Sequence, residues 1–473
     1  MEHYEKLTES TIEELKAIVG EKYVLTTPET LETYQTDQET DSRFFHVPEA
    51  VAAPGSTEEV AAIMKLANKR HFSVTPRSGG TSVSDGAIAV CGGIVMLMER
   101  MNRILEVNPD GMYMVVEAGA RTLDVQEAAK KEGLFYAGDP CSADSCLIGG
   151  NLATNAGGDK AVRYGTTRSQ VHAIEVVLPT GEIAHLGART KKNTTGFCLD
   201  QLVLGSEGTL GVITKATLKL LPIAPYRSDV LLVFTDPRKA TSLVPILLKA
   251  GLDPTSVEFM DHGFVQASSD YSKIRLSHYD DGCYVILTLE TFDEDEMDKK
   301  LIKVDELAQA HGAVEVSLAD DRVWTIRKNC LEATRILSRV STSDDFVFPL
   351  DKISDAIMDL SELAATYPFR VFTLAHAGDG NLHFNILKGE LSDEAWEETL
   401  SSFHEKAYAY VYAHDGLLSG EHGIGAKKVG QLERLTDPGQ MFMMTAIKKA
   451  LDPLDVLLSL IHISEPTRRR GIS

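Results

Sequence analysis

At 473 residues the chain is longer than one hydrophobic core usually organises, because domains of roughly 100–250 residues are the common unit, so two substantial domains are expected. A composition of 43% hydrophobic and 25% charged residues excludes a large disordered share. The net charge of −22 repels phosphate backbones and anionic lipid, and no basic patch precedes the last few residues, so nucleic-acid and membrane-surface partners are not expected. The opening MEHYEKLTES lacks the basic and apolar regions of a signal peptide, and no apolar run reaches the ~18–20 residues of a membrane span, which makes a cytoplasmic location the expectation. The six cysteines, Cys91, Cys141, Cys146, Cys198, Cys283 and Cys330, form no CxxC pair, which argues against a zinc ribbon or a disulfide framework. Cys141 and Cys146 read as loop thiols beside a turn.

In chain order, residues 10–20 read as a first helix, with Ser10 and Glu13 as a capping box and Gly20 as the stop. Ser56 and Glu59 repeat the pattern ahead of a helix that sets Val60, Ile63, Met64 and Ala67 on one face, and the β-branched FSVTP after it predicts a strand. ILEV and MYMVVEAG flank Asn108-Pro109-Asp110-Gly111, the chemistry of a hairpin turn. A helix over 121–133 ends at Gly133, and residues 138–165 are then so rich in Gly, Asn, Ser and Thr that few side chains there could build a core. AIEVVLPTGEIAHL predicts a hairpin around Pro179-Thr180-Gly181, and the alternation of GVITKATLKLLP predicts a strand with one covered and one wet face. Pro222-Ile223-Ala224-Pro225 reads as a domain boundary. Beyond it DVLLVFT and VILTLE each precede a helix, an order that predicts a second, α+β domain with an antiparallel sheet and helices on one side.

Four segments carry chemistry. Pro76-Arg77-Ser78-Gly79-Gly80-Thr81-Ser82 follows a predicted strand; adjacent glycines let N–H groups turn inward and the hydroxyls add donors, which suits a diphosphate, although the segment alone reads equally as a surface turn. In residues 148–158, IGGNLATNAGG, two glycine pairs let backbone approach a flat or extended ligand closely. No GxGxxG or GxxxxGK[ST] loop occurs, which disfavours a Rossmann nicotinamide site and a P-loop. In HAGDGNLHFN, residues 376–385, Asp379 and Gly380 mark a turn, His383 and Asn385 share one strand face, and His376 can converge on that face from the preceding strand. Two converging imidazoles suit a borderline divalent metal such as Zn²⁺ or Mn²⁺. Ser419-Gly420-Glu421-His422-Gly423-Ile424-Gly425 presents a carboxylate and an imidazole in one tight turn. A hydrolytic zinc enzyme could use the same groups, yet HExxH is absent and such an enzyme has no use for the glycine loops.

PRSGGTSVSDGA, the run DP followed by LIGGNLATNAGGDKAVRYG, and LVLGSEGTLGVIT resemble, in order and spacing, the FAD-binding domain of the vanillyl-alcohol-oxidase (PCMH-type) flavoproteins. Within them they look like the branch of the glycolate oxidase FAD subunit, D-lactate dehydrogenases and D-2-hydroxyglutarate dehydrogenase, and the resemblance runs from about Pro48 to Leu457. It implies an α+β chain: an N-terminal helical segment over 1–45, a PCMH-type FAD-binding domain of two α/β subdomains over 46–224, and an FAD-linked-oxidase C-terminal domain over 225–457 with an antiparallel sheet flanked by helices. It implies that Pro76, Arg77, Ser78, Gly79, Gly80, Thr81 and Ser82 hold the FAD around its pyrophosphate, that Pro140, Gly150, Asn151, Thr154, Gly157 and Gly158 line the adenine and flavin path, and that Glu207, Gly208 and Ile213 complete the pocket. Thr81 stands where covalent members place a linking histidine, so non-covalent FAD is expected.

For the C-terminal half the resemblance implies that His376, His383 and Glu421 ligate a divalent metal, Zn²⁺ first with Mn²⁺ or Fe²⁺ as alternatives. It also implies that Asn385 touches substrate, that His422 is the general base, and that Arg327 grips the substrate carboxylate with its bidentate fork. The chemistry agrees: hydride removal from Cα of a 2-hydroxy acid requires the hydroxyl proton to leave, which a metal on that oxygen and a neutral imidazole of pKa ~6.5 both favour. In Asp344-Asp345-Phe346-Val347-Phe348-Pro349-Leu350 the dicarboxylate-reading members carry a lysine two residues before the second acid, where this chain has Ser343. D-lactate or glycolate is therefore the expected substrate; the alternatives are a D-2-hydroxyglutarate dehydrogenase and a non-catalytic FAD electron-transfer subunit. The acceptor (electron-transferring flavoprotein, quinone or cytochrome) and the choice between homodimer and hetero-complex have no motif to read. After Leu451-Asp452-Pro453 the chain leaves the family pattern, and 458–473 is expected to be a non-native tail.

Overall fold

The computed structural model describes residues 4–38 and 40–457; the tail set aside above lies outside the described residues. The first helix, Glu9–Val19, starts at Thr8, whose Oγ1 accepts from the Thr11 amide at 3.2 Å. Thr8 and not Ser10 is therefore the cap, because Ser10 already lies inside the first turn. The helix Thr57–Arg70 is capped by Ser56, with Oγ accepting from Glu59 N at 3.2 Å, and the Glu59 carboxylate accepts in turn from the Gly55 amide at 2.7 Å. Its apolar face, Val60, Ile63, Met64 and Ala67, buries against Leu15 and Val19 of the first helix, and Val456 and Leu457 from the far end of the chain join the same cluster.

That cluster lies on a four-stranded sheet ordered Val24–Leu25, Ala50–Ala52, Ile94–Leu97, Val74–Arg77, the last three parallel. Next comes a five-stranded antiparallel sheet ordered Ile104–Asn108, Tyr113–Glu117, Val212–Lys219, Val171–Val177, Ile183–Gly187, so both expected hairpins form. Two readings are corrected here. The central strand Val212–Lys219 is wet on one face only in part: Ile213, Ala216 and Leu218 join the core of the five-stranded sheet, and on the other face Val212 joins the first core while Lys215 and Lys219 stay half-exposed. The glycine-rich stretch builds a helix, Ile148–Thr154, because Ile148 and Leu152 reach that second core; a Cβ on Gly149 would lie 2.9 Å from the Ala118 Cβ, so the missing side chain is what allows the approach.

Beyond Pro225 seven antiparallel strands form one sheet, ordered Glu315–Leu318, Tyr226–Phe234, Cys283–Thr291, Ser256–Met260, Arg370–His376, Asn381–Leu387, Ser341–Val347. Helices cover both faces rather than one. Pro237–Ser242, Val244–Lys249, Glu294–His311, Ile353–Ala364 and Asp393–Ala413 pack on the first, and His262–Ser272 and Asp321–Lys328 on the second. The strand period of two then sorts the chemistry: Val257, Phe259, Ala375, Leu382, Phe384, Ile386 and Phe346 enter the first core. Glu258, His376, Asn381, His383, Asn385 and Asp345 are left on the opposite face. Among the described residues no helix is long and apolar enough to cross a membrane.

Residues 452–457 are fastened by Lys448, which is fully buried and donates to Thr209 O at 3.0 Å, Leu457 O at 2.8 Å and Asp452 Oδ2 at 2.6 Å. Lys448→Met preserves bulk but leaves the Asp452 carboxylate buried without its cation, so a loss of about 3–5 kcal/mol is expected in urea unfolding of the full chain.

Candidate active site

Between the halves runs a cleft of about 240 Å³. Of the residues expected around FAD, Pro76, Ser78, Gly79, Gly80, Thr81, Ser82, Pro140, Gly150, Asn151, Thr154, Glu207, Gly208 and Ile213 line it. The amides of Gly79, Gly80 and Thr81 find no acceptor among the described residues, so the first glycine loop has donors to offer a diphosphate. Three expected residues stand off the wall. Arg77 turns inward, its Nη1 donating to Thr36 O at 2.9 Å and Ala87 O at 3.2 Å, so it ties the loop to the N-terminal segment. Gly158 packs on the Asp139 carbonyl, and Gly157 makes room for Glu421: a Cβ there would lie 2.5 Å from Glu421 Oε2. Met98, Cys141, Ser142 and Leu331 line the cleft without having been foreseen.

At one end the wall is Glu421 and His422. Behind them His376 Nε2 and His383 Nε2 approach Glu421 Oε1 to 3.3 and 3.2 Å, and His422 Nε2 lies 3.7 Å from the same oxygen. The His383 and His422 rings stack with centroids 4.9 Å apart. One nitrogen of each of His376 and His383 and one Glu421 oxygen thus lie within 4.8 Å of one another, a donor set suited to a divalent cation. The electrostatics fit as well. Burial alone would depress the pKa of His376, but Glu258 and Glu421 raise it well above the ordinary value, and surroundings that hold a proton so firmly also favour a metal cation. Glu421 is held well below the ordinary carboxylate range by His376 and His383 against its own burial. Burial lowers the His422 pKa, Asp345 opposing, which favours the neutral imidazole.

Glu258, missed in the sequence, joins two of the expected residues. Its Oε1 lies 2.8 Å from His376 Nδ1, while its Oε2 accepts from Arg327 Nε at 3.0 Å and Nη2 at 2.6 Å. The Nε–Nη2 edge of Arg327 is therefore taken: the guanidinium holds Glu258, and through it His376, while its Nη1–Nη2 edge keeps donors that Glu258 does not use. A charged residue between Val257 and Phe259 in an otherwise apolar strand was the available signal. Asn385 is buried beside His383 and donates through Nδ2 to Thr334 Oγ1 at 2.6 Å. Glu207 does more than line the cleft: its two oxygens accept from Ile424 N and Gly425 N, each at 2.9 Å, although burial raises its pKa.

The family described as FAD binding domain matches residues 48–187, and that described as FAD linked oxidases, C-terminal domain, matches residues 224–459. The halves that meet at the cleft are thus those of an FAD-linked flavoprotein. A D-lactate dehydrogenase of Anaerostipes hadrus is 34% identical over 465 residues, 96% of this chain and 97% of that protein. The glycolate oxidase subunit GlcD of Bacillus subtilis is 31% identical over 435 residues, 90% and 91% of the two chains. The protein belongs to the FAD-linked oxidase family, in the branch that holds these two relatives. The solved structure of p-cresol methylhydroxylase shares the fold with a TM-score of 0.79 at 13% identity, covering 95% of this chain and 96% of that one.

Gly80 sits at φ 63° with its missing Cβ 2.3 Å from the Arg77 guanidinium. Gly80→Ala should strain the loop by about 1–3 kcal/mol and weaken FAD binding roughly 5- to 150-fold, read by titrating FAD into the deflavinated protein.

Proposed function

We propose that the protein oxidises a small D-2-hydroxy acid, D-lactate or glycolate, to the 2-oxo acid, with non-covalent FAD and a divalent metal. The observation that carries this reading is a shared wall: Glu421 and His422 border the flavin cleft on one side and face His376 and His383 on the other. Bound in the cleft, FAD would supply the hydride acceptor, and a cation held by His376, His383 and Glu421 would supply a Lewis acid. The remaining work falls to side chains. His422, neutral and at the cleft wall, takes the hydroxyl proton on Nε2. Glu258 holds His376 Nδ1 so that Nε2 faces Glu421. Asn385 Oδ1 and Arg327 Nη1 are the groups left to orient the acid. A separate electron acceptor, an electron-transferring flavoprotein, a quinone or a cytochrome, would complete the turnover.

Convergence of four ionisable side chains at the end of the cleft opposes a non-catalytic electron-transfer subunit, which needs none of them. Ser343 stands opposite Asn385 in the sheet register, so a hydroxyl occupies the position where the dicarboxylate branch carries lysine, and this supports a short acid over D-2-hydroxyglutarate. D-lactate is accordingly expected to reduce the flavin with kcat/KM at least tenfold above D-2-hydroxyglutarate, about 1.4 kcal/mol, in anaerobic stopped flow; the reverse order would reject the short-acid reading.

The two histidine roles separate by substitution. His376→Ala should lose metal and substrate binding together while keeping FAD, whose loops lie in the other half. His422→Ala should keep metal and FAD and slow flavin reduction roughly 10²–10⁴-fold. Metal analysis with single-turnover reduction measures both, and near-normal reduction in His422→Ala would sink the base assignment.

A further inference from the structure

The turn that carries Glu421 and His422 is organised by Asp345, a fully buried residue of the strand Ser341–Val347 that does not line the cleft. Asp345 Oδ2 accepts from Ser419 Oγ at 2.6 Å and from three successive amides, Gly420 at 3.1 Å, Glu421 at 3.0 Å and His422 at 2.8 Å. Its Oδ1 accepts from Asn381 Nδ2 at 2.7 Å. Successive amides converging on one oxygen form the concavity that proteins use to bind free anions, and here the anion is a side chain of the neighbouring strand. Asp345 also faces both rings of the stack: His383 Nδ1 lies 3.8 Å from Oδ1 and His422 Nδ1 3.9 Å from Oδ2, each otherwise without a hydrogen-bond partner. The adjacent Asp344 points to the other face of the sheet and meets His404 and Tyr408, so the two acids are not interchangeable.

We infer that Asp345 is the positioning residue of this site: it sets where the Glu421 carboxylate and the His422 ring stand, without itself touching substrate, metal or flavin. The inference rests on Glu421 as a metal ligand and His422 as the base. A carboxylate that merely satisfied buried amides would stabilise the fold but leave affinity at the site unchanged. One that positions the turn changes affinity and rate in a protein that is still folded and yellow.

The test is Asp345→Asn, which keeps the shape, removes the charge, and turns an NH₂ either on Asn381 Nδ2 or on the four donors of the turn. Hydrogen exchange at Gly420, Glu421 and His422 should quicken at least tenfold while the amides of the flavin loops keep their rates. Titration of Zn²⁺ or Mn²⁺ into the FAD-loaded protein should show an affinity 10- to 100-fold weaker at unchanged flavin content. At saturating metal, reduction by D-lactate should stay slow with little change in KM, because the His422 ring is displaced as well. Ser419→Ala, which removes one of the five bonds, should move the same readouts about tenfold or less and serves if Asp345→Asn does not fold. Wild-type exchange in the turn, wild-type metal affinity, or a loss of protection spread evenly over the chain would each overturn the inference. Should the wild-type protein take up neither cation, the ligand reading fails, and the exchange rates alone decide for or against Asp345.

Discussion

The turn Ser419–Gly425 hangs between two carboxylates that come from different halves of the chain, and the rest of the site depends on that suspension. From the C-terminal sheet, Asp345 accepts from the amides of Gly420, Glu421 and His422; from the flavin half, Glu207 accepts from those of Ile424 and Gly425. The second pair also starts the helix Gly425–Leu435, where an acid satisfies otherwise unpaired N–H groups and the helix dipole. Ser84 Oγ adds a bond to His422 O at 2.8 Å from the flavin side. A carboxylate and an imidazole that must face a ligand between two domains are thereby referenced to both. Neither domain alone could hold them in place.

The buried charges follow the same logic. Ionisable groups are buried at low cost only when partners compensate them, and here five of them form a chain. Arg327 pairs with Glu258, Glu258 with His376, His376 with Glu421, and Glu421 with His383. Burial drives the carboxyl of Asp159, next to this chain, up to about 6, with Glu258 adding to the rise and Arg327 resisting it. Such a row is costly to desolvate and gives little stability in return. Its use is geometric, since it leaves each side chain one low-energy orientation.

Some of this was legible in the residues themselves. The glycine loops could be read as backbone suited to close approach by a ligand, because backbone that must offer its N–H groups needs small side chains, and that constraint is local. The histidines announced a polar face because alternation along NLHFN is also local. The roles of Asp345 and Glu258 were not legible. Asp345 could be read only as part of the block that contains Ser343, because its partners lie 74 to 77 positions later in the chain, and no periodicity links a strand residue to a turn that returns so late. Arg327 matched a motif, but the motif does not contain Glu258, 69 positions away, which takes one edge of the guanidinium.

What the sequence by itself determined is therefore whatever depends on neighbours within a few positions: the caps at Ser56 and Glu59, the two hairpins, the loops at 76–82 and 148–158, and the side of the strand on which His383 and Asn385 lie. What only the tertiary structure decided is which of those pieces meet. Helices on both faces of the seven-stranded sheet, the helix within the glycine-rich stretch, and the inward turn of Arg77 each arise from a surface supplied by a distant segment. The physical reason is the same in every case: burial and hydrogen bonding reward contacts without regard to sequence separation, whereas propensity and periodicity register only what is adjacent.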